Sequence, residues 1–572
     1  MPTQVKNWKV AQRLSSEDAR HLSTYSPILR QLLFNRGYRT AEQARQYLNA
    51  VAPEGSEPFN MLGLEPAVDR LWHAVQKGEK IAVYGDYDAD GVTATALMVH
   101  ALKLLDARVM GYIPNRFDEG YGLNREALRS LQENGVKLVV TVDCGIRSVE
   151  EARYAAELGM DLVISDHHHP GAKIPEALAV INPKQEGDTY PEKNLAGVGL
   201  AYKLIQGLFE KINHGDNGSA GMDASQYLDL VALGTVADLA PLVGENRALV
   251  RAGLKTMRLP QRQGLASLMG AAGIKPARIN AGDISFVLGP RLNAAGRLDS
   301  ALAALELLLS EDIHEAGRLA QQLDNQNRER QQIMHTIQER AEMLALERDP
   351  EALLLIAIDP EFNPGVVGLA ASRLTEQYYR PTIVAQRGED YTRGSCRSIP
   401  EFHVTHALDR CADLLEHHGG HAAAAGFTVR NNKLGELIER MQAIAIEQLV
   451  DLDLRPTLHA DLELPLSTLK PDILPDLDRL QPTGNGNAQA KFVSRGLKVV
   501  RSRPVGKDKS HLKLSVTDGR ITYDAIAFRQ GHWHDQMPLY IDLMYYFEVN
   551  EYNGRTYLQL NVRDLKPAGV QD

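Results

Sequence analysis

Between residues 80 and 181, short runs of β-branched and aliphatic residues alternate with longer segments of helical character. The strand-like runs include IAVY, KLVVTV and DLVIS, and they are separated by segments such as TATALMVHALKLL and SVEEARYAAEL. Strands that alternate with helices form parallel sheets, because each helix carries the chain back across a face of the sheet. The pattern therefore predicts an α/β domain built on a doubly wound parallel sheet.

The 572-residue chain is long enough for further domains. One domain per roughly 150 residues gives about three or four. Residues 196–310 have mostly helical character, and the long polar stretch that follows them is typical of a helix that bridges domains. We expect five parts: an N-terminal extension (1–60), the parallel-sheet domain (61–310), a connecting helix (311–348), a smaller α/β domain (349–450) and a C-terminal β-barrel of the OB-fold type (455–567).

The composition excludes several classes of protein. Hydrophobic residues make up 44% and charged residues 24% of the chain, which favours a folded, soluble protein over a disordered or fibrous one. The cysteines, Cys144, Cys396 and Cys411, are far apart and form no CxxC pair, so neither a disulfide framework nor a thiolate zinc site is expected. We expect a cytoplasmic protein that does not contact membranes, because the sequence has no signal peptide and no long apolar run.

The net charge of -10 hides a strongly basic segment. Residues 491–529 contain ten Lys and Arg residues and three Asp residues, which leaves the segment at +7 and the remainder at -17. Phe492, His511, Tyr523 and Phe528 are interleaved with these charges. A basic strand segment with aromatic residues is typical of OB-folds that bind a phosphate backbone and stack bases. The barrel is therefore predicted to bind single-stranded nucleic acid.

Asp86, Asp88 and Asp90 follow the first predicted strand in the segment YGDYDADG. The same spacing begins a calcium-binding EF-hand loop, but such a loop needs a glutamate at its twelfth position. That position is Leu97, within an apolar predicted helix. A solvated acidic turn is the other alternative.

Polar residues also follow the next three predicted strands. Asn115 and Arg116 come after the second strand, Asp143 after the third, and the segment 166–169 (DHHH) after the fourth. Carboxyl ends of parallel strands line one crevice, and clustered carboxylates there imply a compensating cation. Oxygen ligands with one or two imidazoles favour Mn²⁺ or Mg²⁺ over a structural zinc. No GxGxxG follows the first strand, so a dinucleotide cofactor is not expected.

A pair of divalent ions about 3.5–4 Å apart that share a carboxylate can hydrolyse phosphoesters. Asp143, alone after the middle strand, is the candidate for the shared ligand. Asp238, in the apolar segment LGTVADLAPL, is either an inward-pointing ligand or a helix cap.

Five motifs in order, DYDADG, DCG, SDHHHP, VADLAPL and GGHAAAAGF, resemble the DHH/DHHA1 phosphoesterase family. With GPRLNAAGRLDSA, the long bridge and the barrel, residues 60–567 are similar to the bacterial single-stranded-DNA exonucleases of that family. The resemblance makes 61–310 the DHH catalytic domain and 349–450 the DHHA1 substrate-binding domain. It implies the metal ligands Asp88, Asp90, Asp143, His167 and Asp238, with Asp143 shared between two ions.

The resemblance also implies catalytic and substrate-binding residues. Asp86 is implied either as a catalytic carboxylate or as one that supports the metal ligands from behind, and His168 as a phosphate contact, whereas His169 is expected to be a surface residue. Arginine suits phosphate because its planar fork binds two oxygens at once. The implied substrate contacts are Arg116, Arg297, Arg373, Ser395, Arg397, Ser398 and His421.

Two segments have alternative interpretations. In GGHAAAAGF, a flexible Gly419–Gly420 turn would let a phosphate or sugar approach the backbone beside His421, although the alanines 422–425 also fit tight helix packing. Arg291 and Asn293 resemble an element near the cleft, and a hydrogen-bond network at a helix start is the alternative for Asn293.

The function that the resemblance implies is a 5′→3′ exonuclease that uses two Mn²⁺ or Mg²⁺ ions to hydrolyse single-stranded DNA to 5′-mononucleotides. It further implies roles in recombination and mismatch repair, with single-stranded-DNA-binding protein as a partner. A phosphodiesterase of short oligonucleotides or cyclic dinucleotides is the first alternative, but such proteins generally lack the basic barrel and the bridge. A non-catalytic replication scaffold is the second, and it would be expected to show substitutions at the ligand positions, all of which are filled here.

Overall fold

A computed structural model describes residues 6–115, 122–214, 221–298, 300–552 and 555–570. The chain divides into two compact units. The larger unit comprises Trp8–Leu292, Ala301–Ala320 and Leu458–Asp572, and the smaller unit comprises Met1–Asn7, Asn293–Ser300 and Gln321–Thr457. No helix of the described ranges is both long enough and apolar enough to cross a membrane.

The N-terminal segment is a strand followed by short helices. It contains β1 (Asn7–Val10), α1 (Ser16–His21), α2 (Pro27–Asn35), α3 (Ala41–Asn49) and α4 (Leu64–Lys77). Helix α3 begins at a capping box, in which Thr40 accepts the Gln43 N–H and the Gln43 side chain accepts the Thr40 N–H. Its C-cap residue, Ala50, has a left-handed backbone that ends the helix.

The predicted doubly wound sheet is confirmed. It is formed, with its intervening helices, by β2 (Lys80–Gly85), α5 (Ala89–Lys103), β3 (Arg108–Tyr112), α6 (Arg125–Glu133), β4 (Val136–Val142), α7 (Val149–Glu157), β5 (Asp161–Ser165) and β6 (Ala179–Ile181). All strands are parallel, in the order β3-β2-β4-β5-β6. The chain moves from β2 to one neighbour and then to the other, so the strand order reverses beside β2, where ligands bind in such folds.

A helical region follows the sheet, as the sequence predicts. Its elements are α8 (Gly197–His214), α9 (Leu228–Ala237), α10 (Gly244–Met257), α11 (Gln263–Ala271), α12 (Ala281–Asp283), a π-helix (Ile284–Leu288), α13 (Gly289–Leu298), α14 (Leu302–Leu309) and α15 (Ile313–Arg348). Helix α15 is the long polar helix that the sequence predicts, and it begins in the larger unit and ends in the smaller one.

The smaller unit contains a mixed five-stranded sheet. Its elements after α15 are β7 (Leu355–Asp359), α16 (Val367–Tyr378), β8 (Thr382–Arg387), β9 (Tyr391–Arg397), α17 (Val404–Asp409), β10 (Leu415–His421), β11 (Ala424–Arg430) and α18 (Leu434–Leu449). The strand order is β10-β11-β9-β8-β7, with β7 and β8 parallel and the other pairs antiparallel.

The predicted turn at Gly419–Gly420 is wrong. Both glycines lie within β10, and the turn falls at residues 422–423 instead. Pairing with β11 explains the difference, because Gly420 faces Ala425 and a Cβ on Gly420 would lie 2.3 Å from the Ala424 carbonyl oxygen. The glycine permits close approach of two strands, which a local turn signal does not reveal.

The C-terminal region forms the predicted barrel. Its elements are β12 (Thr457–Ala460), β13 (Leu462–Glu463), α19 (Leu474–Asp478), β14 (Phe492–Val505), β15 (His511–Thr517), β16 (Thr522–Ala527), β17 (Tyr540–Tyr552) and β18 (Arg555–Pro567). Pairing of β14 with both β15 and β17 closes the sheet. Leu512, Leu514 and Val516 alternate along β15 and are buried, and their cluster includes Leu29 and Leu33 of α2. The N-terminal extension therefore completes the barrel core.

Candidate functional site

The first acidic turn follows β2 directly. Asp88 is the N-cap of α5, and its carboxylate accepts the N–H groups of Asp90 at 2.8 Å and Gly91 at 3.2 Å. A Cβ on Gly91 would lie 2.5 Å from the Asp86 backbone, so glycine is required for this close approach. Leu97 is fully buried in α5, which makes the EF-hand alternative wrong.

Asp90 points into the interior at the N-terminus of α8. The Gly197 N–H donates to its carboxylate at 2.6 Å and the Val198 N–H at 2.8 Å. The carboxyl group is buried, and burial together with the nearby charges of Asp238 and Asp88 raises its pKa well above the ordinary value. Two helix N–H groups favour the charged form but do not offset the burial.

Asp143 follows β4 with a left-handed backbone, at a φ of 64°. This conformation is uncommon for a residue other than glycine and is concentrated at functional sites. The residue is 1% exposed, and burial and the Asp90 charge raise its pKa well above the ordinary value. A Cβ on Gly197 would lie 2.5 Å from the Asp143 Cβ, so only glycine fits opposite this residue.

His167 follows β5 and lies among three of the carboxylates. Its Nε2 is 3.1 Å from Asp143 Oδ1, 3.9 Å from Asp90 Oδ2 and 3.9 Å from Asp238 Oδ2. Burial, reinforced by the neighbouring His168, lowers the pKa of His167 to about 3. The imidazole is therefore neutral at pH 7, which is the form that binds metal ions.

His168 is held by Asp166. The His168 Nδ1 lies 2.7 Å from Asp166 Oδ1, and the N–H groups of Ile146 at 2.9 Å and of His168 itself at 3.0 Å donate to the same carboxylate. Burial alone lowers the pKa of His168, but the hydrogen bond and charge of Asp166 outweigh it and raise the pKa above the ordinary value. This half-exposed imidazole favours a positive charge, which suits a phosphate contact.

Asp238 is the C-cap residue of α9, and its side chain joins the same cluster. Burial and the Asp88 charge raise the pKa of Asp238 to about 7. Both sequence interpretations, an inward carboxylate and a residue at a helix end, therefore apply to this position.

These side chains fit divalent cations. Three groups have ligand atoms within 4.8 Å of one another: Asp86, Asp88 and Asp143; Asp90, His167 and Asp238; and Asp143, His167 and His168. Asp143 and His167 each belong to two groups. Asp143 Oδ1 and His167 Nε2 are buried, and neither makes a directed hydrogen bond to a described residue. Buried polar atoms normally make hydrogen bonds, so two buried atoms that make none within the described ranges indicate that an ion binds at this place.

A second polar pocket lies within the smaller unit, at the N-terminus of α16. Arg397 donates from Nη1 to Ser395 Oγ at 2.9 Å and forms no ion pair with a described residue. A Cβ on Gly368, near the start of α16, would lie 2.8 Å from Arg397 Nη2 and 3.0 Å from Ser395 Oγ. Arg297 is close to the same helix end, because its Nη1 donates to the Gly365 carbonyl at 3.3 Å. Two arginines, a hydroxyl and a helix N-terminus suit an anion.

Comparison with protein-family models gives three matches. Residues 80–235 match the DHH family, N-terminal domain; residues 351–447 match the DHHA1 domain; and residues 460–564 match the RecJ OB domain. The chain is 38% identical over 543 residues to the single-stranded-DNA-specific exonuclease RecJ of Bacillus subtilis, covering 94% of this chain and 68% of that protein. It is 36% identical to the RecJ of Salmonella typhimurium, covering 98% and 99%.

The chain belongs to the RecJ family. The predicted resemblance is thereby confirmed, as is the predicted fold class. The crystal structure of RecJ in complex with Mn²⁺ from Thermus thermophilus has a TM-score of 0.85 at 31% identity, covering 99% of this chain and 80% of that one. The Mg²⁺ complex from the same organism has a TM-score of 0.78 at 29% identity, covering 99% and 79%.

Sequence reasoning missed two residues that support His167 and His168. Asn182 donates to the His168 carbonyl at 2.8 Å, and the Lys184 ammonium donates to the His167 carbonyl at 2.6 Å. Burial lowers the pKa of Lys184. Both residues directly follow β6, the next strand of the parallel sheet. Polar residues at the carboxyl ends of parallel strands are the sequence signal that identifies them.

Other implied substrate contacts are placed differently. Arg373 is exposed and pairs with Glu376 at 3.1 Å, and the Ser398 hydroxyl donates to the Phe402 carbonyl at 2.6 Å. His421 is exposed at the end of β10, and Arg116 lies outside the described residues. The substrate roles of these residues therefore remain predictions. Arg291, in α13, donates to the Val287 carbonyl at 2.7 Å. His169 is exposed, as expected for a surface residue.

The RecJ-type barrel exposes much of its positive charge. The following exposed basic residues form no ion pair with a described residue: Lys498, Arg501, Arg503, Lys507, Lys509, Arg520 and Arg529. Of the interleaved aromatic residues, Phe492 and Tyr523 belong to the core. Phe528 is 51% exposed, and its ring meets His511 edge-on with the centroids 5.3 Å apart.

Proposed function

We propose that this chain is a metal-dependent exonuclease that hydrolyses single-stranded DNA. The names of its RecJ relatives describe single-stranded-DNA-specific exonucleases, and the similar Thermus thermophilus structure is a complex of RecJ with Mn²⁺. The observation that supports the proposal is the buried cluster of carboxylates around His167. In this cluster Asp143 Oδ1 and His167 Nε2 are buried and make no hydrogen bond to a described residue. Every position that the family resemblance implies as a ligand is present and, together with His168, lies in this cluster. A non-catalytic scaffold would have no use for so many unneutralised buried carboxylates.

Asp88, Asp90, His167 and Asp238 would hold two Mn²⁺ or Mg²⁺ ions, with Asp143 between them. When bound, such a pair lowers the pKa of water and offsets charge on the attacking and leaving oxygens. Asp86, in the group of Asp88 and Asp143, is the catalytic carboxylate that takes the proton of the attacking water.

The remaining residues of the site orient the substrate. His168, charged through its contact with Asp166, binds a phosphate oxygen, and Asn182 and Lys184 fix the backbone from which both histidines project. Asp166 itself is anchored by backbone N–H groups, so the ring of His168 keeps one orientation.

We infer a 5′→3′ direction with 5′-mononucleotide products, and this inference rests on the family resemblance. The pocket of Ser395, Arg397 and Arg297 supports it, because a terminal phosphate needs a concentrated set of cationic donors. The exposed basic residues of the barrel bind the phosphate backbone of the DNA strand electrostatically. The resemblance also implies single-stranded-DNA-binding protein as a partner, roles in recombination and mismatch repair, and a cytoplasmic location.

The test offers the purified protein 5′-labelled and 3′-labelled single strands, a blunt duplex and a cyclic dinucleotide, with Mn²⁺ or Mg²⁺ and with chelator. Early release of the 5′ label as a mononucleotide, dependent on metal and absent from the duplex, is the expected result. Early loss of the 3′ label would contradict the direction. Preferential hydrolysis of the cyclic dinucleotide would replace the proposal with the phosphodiesterase alternative.

A further inference from the structure

The turn that carries Asp238 is held by a loop that leads into the barrel. Leu239, next to Asp238, has a left-handed backbone at a φ of 61°, in a helix-ending position where glycine is usual. The Asn485 side chain donates from Nδ2 to the Leu239 carbonyl at 2.5 Å, and the Leu242 N–H donates to the Asn485 carbonyl at 2.7 Å. Asn485 lies about 250 residues from this turn in sequence and holds it through two hydrogen bonds. We call this pair of hydrogen bonds the clasp.

The loop and the turn approach each other closely. A Cβ on Gly484 would lie 2.8 Å from Leu242 Cδ1, and a Cβ on Gly486 would lie 3.0 Å from Pro241 Cβ. Gly486 also has a left-handed φ of 68°. Side chains at either position would push the loop away from the turn, so the glycines on both sides of Asn485 allow the clasp to form.

The far side of the loop is anchored rigidly. Arg247, which is fully buried, donates to the carbonyl oxygens of residues 479–482 and of Tyr47 at 2.8 to 3.1 Å. The Asn487 side chain donates to two of the same carbonyls, and the Tyr47 hydroxyl donates to Asn487 Oδ1 at 2.7 Å. The loop is thus fixed by α10 and α3, and Asn485 transmits this fixed position to the Asp238 turn.

We propose that Asn485 is a positioning residue for the metal centre, and that the loop of residues 479–487, which leads into the barrel, thereby supports that centre in addition to the barrel's proposed role in binding DNA. The clasp holds the strained Leu239 backbone so that the Asp238 carboxylate stays directed at His167. Removing a group that orients a metal ligand typically lowers metal affinity or activity by about 10–100-fold. This inference rests on the proposed role of Asp238 as a ligand.

The test measures Mn²⁺ affinity by calorimetry in the absence of DNA, together with the Mn²⁺ concentration that gives half-maximal hydrolysis. Asn485→Ala should weaken Mn²⁺ binding by about tenfold, with kcat largely recovered at saturating Mn²⁺. Gly486→Ala, which displaces the loop without touching the Asn485 side chain, should act in the same direction. Asn134→Ala is the matched control, since its Nδ2 donates to the Ser130 carbonyl at 2.8 Å at the end of α6, beside the amino end of β4 and thus at the opposite end of that strand from Asp143, and it should bind Mn²⁺ like the wild type.

Asp238→Asn, measured in parallel, separates the two claims. If Asp238→Asn binds Mn²⁺ like the wild type, the ligand assignment fails and the inference with it. If Asp238→Asn weakens binding but Asn485→Ala and Gly486→Ala do not, the inference is overturned and the ligand assignment stands. A lower Tm of Asn485→Ala with unchanged Mn²⁺ affinity would likewise overturn it, because that is the signature of a merely structural contact.

Discussion

Burial sets the protonation of the candidate ligands before any ion binds. Asp90 and Asp143 have pKa values well above the ordinary range because they are buried beside other carboxylates, whereas burial keeps His167 neutral. Divalent cations reverse this preference, since they stabilise the charged carboxylates that the protein interior disfavours. Metal binding must therefore release protons from the cluster.

Replacing Asp143, the proposed shared ligand, should remove catalysis without weakening the binding of the strand. We expect Asp143→Asn to abolish hydrolysis of single-stranded DNA, because both ions lose a ligand, while binding of the strand stays close to wild type. Asp161→Asn, an exposed carboxylate at the start of β5, is the control and should keep wild-type activity. Residual hydrolysis above a few percent in Asp143→Asn would contradict the shared-ligand role.

The raised pKa of Asp238 predicts a pH effect on the metal-free protein. Folding moves this pKa from 3.8 to about 7, so between these values the folded state binds a proton that the unfolded state has lost. Stability should therefore fall as pH rises from about 4 to 7, by at most about 1.4 kcal/mol per pH unit for one group. The measurement is the Tm of chelated protein across this range. Asp238→Asn should show a shallower fall, and an equally steep one would contradict the assignment.

The pocket at the start of α16 makes a prediction about strand ends. Arg397→Ala should reduce the preference for 5′-phosphorylated over 5′-hydroxyl strands by about 1.5–3 kcal/mol, the contribution of a charge-assisted hydrogen bond. The measurement is the ratio of hydrolysis rates on the two ends at one salt concentration. Arg393→Ala, an exposed residue of the same strand, is the control and should discriminate like the wild type. Equal discrimination by Arg397→Ala would place the phosphate pocket elsewhere.

Among the secondary-structure elements, the carboxyl ends of the parallel strands were the most predictable part of the site. Asp86, Asp143 and His167 could be grouped from sequence because strand order and side-chain type are local signals, and topology brings the ends together. The local sequence at Gly419 and Gly420 predicts a turn, and this prediction is wrong because the role of both glycines depends on pairing with β11, which local sequence does not encode. The α16 pocket likewise joins segments that are distant in sequence.

Strand β14 makes a prediction about electrostatics. Arg501→Glu with Arg503→Glu should weaken strand binding and flatten its dependence on salt, because each lost phosphate contact releases fewer counterions, with a slope change of about 0.7 per contact. Lys255→Glu with Arg258→Glu, also exposed in the larger unit, changes the net charge equally and is the control. The measurement is log Kd against log salt concentration. An unchanged slope in the β14 variant would show that other residues make the phosphate contacts.

In the whole molecule, the N-terminal extension and the barrel depend on each other. Leu29 and Leu33 of α2 share one core with Phe492 and Tyr545 of the barrel, and buried Arg247 satisfies the carbonyls that precede β14. The sequence could not reveal this arrangement, because its contacts carry no motif and join distant segments: Arg247 and Leu480 are 233 residues apart, and Tyr47 and Leu480 are 433 apart. The family could be recognised because its motifs are short and contiguous. Deleting the barrel would expose this shared core. Charge-changing point substitutions therefore test DNA binding by the barrel better than its deletion does.

We propose above that the cluster around Asp143 and His167 holds two divalent ions. Anomalous scattering from crystals grown with Mn²⁺ would locate these ions. We expect two manganese peaks about 3.5–4 Å apart, with the Asp143 carboxylate touching both. A single peak, or two peaks that Asp143 does not share, would contradict it.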